Sequence, residues 1–83
     1  MKYEYATVVL QNLESVVERY GSPLIIISTG SGFEEIKTNR EKFDSELLSL
    51  LNKMSLQGWE VYNSSIQKTN SGYNFYHFLK RAL

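Results

Sequence analysis

The segment GYNFYHFLKRAL, residues 72–83, carries the only histidine of the chain, His77. An imidazole serves as a general base when a nucleophile and an orienting group converge on it, or as a metal ligand when further donors do. Here it stands in mid-strand between Tyr76 and Phe78, the chain has no cysteine, and no serine motif marks a nucleophile. The plainer reading is a partly buried strand histidine bonded to a neighbour. Glu34 and Glu35 are adjacent, so they do not share a face on a strand or a helix and make a poor acid–base or metal pair. A solvated loop accounts for them. No spacing argues for a metal or a cofactor, and the chain reads as a non-enzyme.

A second candidate is IIISTGSG, residues 25–32, in which an apolar run feeds small hydroxyl residues and glycines. Gly30 and Gly32 would let backbone N–H groups approach an anion, and Ser28, Thr29 and Ser31 add donors, as in phosphate cradles. The loop lacks the lysine of a P-loop and the third glycine of a dinucleotide fingerprint. An ordinary connecting loop is the competing reading.

Six tyrosines are the third feature. Tyr3, Tyr5, Tyr62, Tyr73 and Tyr76 all fall on expected strands, where their rings bury area while their hydroxyls seek a polar partner, a combination suited to interfaces and stacking pockets. Strand propensity alone would also explain them. The ligand-binding set expected is Ser28, Thr29, Gly30, Ser31, Gly32, Tyr62, Tyr76 and His77.

The elements that must position these residues follow from periodicity. KYEYATVVL, residues 2–10, reads as a strand. In NLESVVERYG, Leu13, Val16, Val17 and Tyr20 recur at helical spacing between a capping Asn12 and a stopping Gly21, which predicts a short helix over about 12–20; a strand turning through Gly21 and Ser22 is the rival. PLIIIS is a continuous apolar run and reads as a covered strand. FEEIKT is open between a helical turn and an extended piece. Phe43, Leu47, Leu50, Leu51 and Met54 form one stripe of a long helix over about 39–57, with Thr38 and Glu41 as a capping box. Gly58 and Trp59 then form a Schellman stop. WEVYNSSIQK and YNFYHFLKR, joined by TNSG, form a hairpin. The expectation is one α+β domain, residues 1–83: a four-stranded, mainly antiparallel sheet with both helices packed on one face.

Composition narrows the partners. At 83 residues, with 42% hydrophobic and 22% charged, the chain suits a single modest core. Nine basic residues balance nine acidic ones, so the phosphate-neutralising stripe of a nucleic-acid binder is missing. No apolar run is long enough for a membrane span. The lack of cysteine and of an apolar leader points to the cytoplasm.

The opening MKYEYATVVL, the helix end LQGWEV and the terminal YHFLKR together resemble a family of small bacterial and phage proteins known only as a domain of unknown function, number 4177. Its members begin on a WEY or YEY strand, carry a helix ending in GWE, and finish on an aromatic strand with KR. The resemblance implies a fold, with Gly58 as helix stop and Trp59 as core anchor, and no catalytic residues. Residues 11–37 fall outside it.

On the last strand, Tyr73, Phe75, His77 and Leu79 point one way and Asn74, Tyr76, Phe78 and Lys80 the other. Both faces are greasy, and the helices can cover only one. A second copy is the simplest cover for the other, so a homodimer or higher symmetric oligomer is expected, with Tyr3, Tyr5, Phe75, Tyr76 and Phe78 at the interface. The expected function is a non-enzymatic binding module that holds or sequesters a small anionic, nucleotide-like ligand between subunits; a phage-encoded sponge is one concrete version. The alternative is an interaction or inhibitor module that docks a protein through its aromatic face or edge.

Overall fold

Two strands separated by most of the chain form the centre of the sheet. In the computed structural model, which describes residues 2–83, β1 (Tyr3–Leu13) and β5 (Gly72–Ala82) pair antiparallel along their whole length, from Tyr3 opposite Ala82 to Leu13 opposite Gly72. Their β-branched and aromatic content suits a pleated, half-buried surface. β2 (Leu24–Thr29) and β3 (Gly32–Lys37) extend the sheet beyond β1, and β4 (Glu60–Thr69) extends it beyond β5. The resulting order is β3-β2-β1-β5-β4, all antiparallel.

The fold is α+β as expected, but the sheet has five strands rather than four. FEEIKT supplies the additional one, because TGSG is a tight hairpin turn: Thr29 pairs with Gly32 across Gly30 and Ser31, and Gly32 takes φ 138°, a backbone region that side chains other than hydrogen avoid. TNSG makes the same turn, with Thr69 opposite Gly72. In both turns the threonine hydroxyl accepts the serine N–H two residues on, at 3.2 Å.

The long helix, α2, spans Phe43–Leu56 and is shorter than expected at its start. The expected capping box does not form. Asn39 takes over, its Oδ1 accepting the N–H groups of Glu41 at 3.0 Å and Lys42 at 2.9 Å and its carbonyl accepting that of Phe43 at 2.8 Å, so that it caps the turn leading into the helix. Thr38 is buried, and its hydroxyl has no partner. At the other end the Schellman stop forms: Gly58 adopts φ 92°, its N–H bonds Ser55 O, and the Trp59 N–H bonds Met54 O. The short helix, α1, covers Glu14–Tyr20 and ends at Gly21 with φ 77°. Asn12 does not cap it; β1 carries on through that residue, which pairs with Tyr73 and accepts a hydrogen bond from Arg40 Nε.

The core lies between α2 and one face of the sheet. Ala6, Val8, Leu10, Ile25 and Leu79 are buried there with Leu47, Met54 and Trp59. Side chains directly opposite across an antiparallel pair share a face, so Phe75 and His77 belong to this face through Leu10 and Val8. α1 contributes no buried residue. Arg81 ties the end of α2 to the sheet: its guanidinium lies 4.4 Å from the Trp59 ring, bonds Gln57 O and pairs with Glu4. No helix among the described residues is long and apolar enough to cross a membrane.

Candidate functional site

The covered face holds His77. Its Nδ1 lies 2.8 Å from Ser64 Oγ, its ring leans on Phe75 at 4.4 Å, and Nε2 is buried without a partner. Burial holds the imidazole below its usual pKa, since a cation there would lose water and gain no counter-charge. A serine–histidine pair becomes a nucleophile and base when the second ring nitrogen is held by an orienting acceptor. Here that nitrogen has none. His77 is thus a buried strand histidine with one ring nitrogen bonded, and among the described residues no group of three or more His, Asp or Glu side chains is placed to hold a metal.

The opposite face is open and aromatic. β1 presents Tyr3, Tyr5, Thr7 and Val9 there, and β5 presents Tyr76, Phe78 and Lys80, by their direct pairing. Tyr5 is 58% exposed and Tyr62 is 50% exposed. A β-bulge between Val61 and Asn63 shifts the register of β4, and Tyr62 at that bulge meets Tyr5 edge to face at 6.1 Å. Tyr76 and Phe78 stack along the strand at 6.2 Å.

Tyr5, Thr7 and Phe78 floor a concavity of about 290 Å³ on this face, with Ser28, Thr29 and Gly30 on one side and Tyr62 on the other. The strand order explains the convergence: the end of β2 lies beside the start of β1, which lies beside the end of β5 and the start of β4. At its margin Lys80 Nζ sits 4.9 Å from the Tyr3 ring and 5.7 Å from the Tyr62 ring, and 3.6 Å from the Glu60 carboxylate.

Of the expected ligand set, Ser28, Thr29, Gly30 and Tyr62 come together here. Ser31 and Gly32 line a neighbouring hollow with Phe33 and Glu34. Tyr76 shares the open face but bonds Gln67 across the hairpin, and His77 lies on the other side of the sheet. Of the expected interface set, Tyr3, Tyr5, Tyr76 and Phe78 are on the open face, whereas Phe75 packs against the core. The phosphate-cradle reading of residues 28–32 is weakened by the turn itself, because the Ser31 N–H is already taken by Thr29. Sequence reasoning missed Thr7 and Lys80; the alternation of YEYAT and of FLKR carries the only signal for them.

No family model, curated protein or solved structure matches the chain.

Proposed function

We propose that this protein is a non-enzymatic, homo-oligomeric cytoplasmic module that binds a small planar anion of nucleotide type on its open sheet face. The observation that carries this reading is the meeting of Tyr5, Tyr62 and Phe78 with Ser28–Gly30 in one concavity bordered by Lys80. Aromatic faces stack on a base with little regard to its identity. Hydroxyls orient polar edges, and Lys80, which shares the margin with the Glu60 carboxylate, suits one phosphate rather than a polymer of them. The concavity lies just under the ~300–1,000 Å³ usual for a ligand pocket. Tyr62 brings β4, the rim of the sheet, into its wall. Binding of this kind sequesters a molecule without transforming it, which is what a phage-encoded nucleotide sponge does. Kinship with domain 4177 is proposed on the same footing, from residues 1–10, 56–61 and 76–81.

The test is mass spectrometry of small molecules released when protein purified from cells is denatured, followed by equilibrium dialysis against a nucleotide panel. A released nucleotide, or saturable binding lost in Tyr62→Ala, supports the reading. No released nucleotide together with no binding across the panel would overturn it.

A further inference from the structure

The two rims of the sheet are not alike. β3 is short and carries the adjacent carboxylates of Glu34 and Glu35, charges of the kind that blunt an exposed edge. β4 runs for ten residues, all of them exposed, with no proline and no charge from Val61 to Gln67. A rim strand of that sort offers a row of unpaired N–H and C=O groups to any strand that fits.

Val61 and Ile66 are the apolar residues to account for. They are 44% and 49% exposed, and both lie on the α2 side of the sheet, since Val61 pairs with Leu79 and Ile66 with Phe75. Residues five apart on a regular strand face opposite ways. The bulge at Tyr62 removes one residue from the count and brings the two to one side.

We propose that β4 pairs antiparallel with β4 of a second copy, about a two-fold axis at Ser64, so that the two sheets become one of twice the width. With Tyr62 outside the ladder, Val61 then falls opposite the partner's Ile66, and Ile66 opposite the partner's Val61, all on one face. Asn63 meets the partner's Ser65, and Glu60 meets the partner's Gln67. The strand is thus complementary to itself, as a two-fold interface requires. Antiparallel pairing also sets the acidic start of each strand toward the partner's basic end at Lys68, whereas parallel pairing would set like charges together. This inference rests on the oligomer proposed above, gives that oligomer its contact surface, and is independent of what the open face binds.

Analytical ultracentrifugation of wild type and Ile66→Lys across a concentration series, with oxidative cross-linking of Ser64→Cys and Glu35→Cys, tests it. The expected result is a wild-type dimer, a folded Ile66→Lys monomer with unchanged circular dichroism, and a disulfide-linked dimer from Ser64→Cys alone, because directly paired Cβ atoms come within ~4.5–5.5 Å. If Ile66→Lys does not fold, the cross-link decides. A wild-type monomer overturns both this pairing and the oligomer reading. A dimer that survives Ile66→Lys, or cross-linking without preference for residue 64, overturns the pairing alone.

Discussion

Ser64 Oγ lies 2.8 Å from His77 Nδ1, and among the described residues this is the only hydrogen bond the imidazole makes, its other nitrogen being buried with no partner there. Desolvation lowers the His77 pKa from 6.5 in the folded chain, so between that depressed value and 6.5 the unfolded chain binds more protons. Stability is therefore full above pH 6.5, declines as pH falls through it, and levels off below the folded pKa. Urea midpoints measured on the acid side of neutrality should follow this course in wild type and lose that component in His77→Gln. Equal pH dependence in the two proteins would contradict the assignment.

Gly72 opens β5 at φ 141°, and a Cβ there would stand 2.0 Å from the Asn12 carbonyl oxygen. The obstacle is backbone in the central strand and cannot rotate away. Gly72→Ala should lose at least about 2 kcal/mol by chemical denaturation, whereas Gly30→Ala, where a Cβ meets nothing within 4 Å, should lose much less.

Trp59 is 7% exposed and is packed between the core and the Arg81 guanidinium. Trp59→Ala should cost about 3–5 kcal/mol, a large share of the ~5–15 kcal/mol typical of a domain. Arg81→Ala should lower the thermal midpoint by less, and it should leave the Met54 to Trp59 turn intact by circular dichroism.

Tyr5 is mostly in solvent, so Tyr5→Ala should leave stability within about 0.5 kcal/mol of wild type. Loss of one stacking surface, worth roughly 1–3 kcal/mol per base, should weaken nucleotide binding by about 5- to 150-fold on titration calorimetry. Lys80→Ala should reduce the salt dependence of the same binding. A variant that binds as well as wild type at every salt concentration would remove the open face as the site.

What could be read from the sequence was what local chemistry decides. The stripe from Phe43 to Met54, the Gly58 stop and the last hairpin each rest on neighbours within a few residues. FEEIKT is too short and too charged for its own residues to choose between a helical turn and a strand; the choice is made by the TGSG turn before it, whose T-x-S-G pattern recurs in TNSG forty residues later. The site itself was only partly visible. Tyr5, Ser28, Tyr62 and Phe78 meet through the register of four strands, which no local pattern states. Strict alternation sets Ser64 on the side of Glu60; the bulge at Tyr62 reverses this, placing Ser64 beside His77 while Glu60 stays with Lys80. An extra residue in a strand is defined by its partner strand, so it leaves no mark in the sequence of either.

The carboxylates of Glu34 and Glu35 have a consequence for how large any assembly becomes. Were both borders of the sheet receptive, each added molecule would expose a fresh border and growth would run on into a filament. If β4 pairs as proposed, a β3 border that repels its own kind would stop association after a single event and leave a closed pair. Neutralising those two acids should therefore show itself first as turbidity or thioflavin-positive material, long before any change in folding.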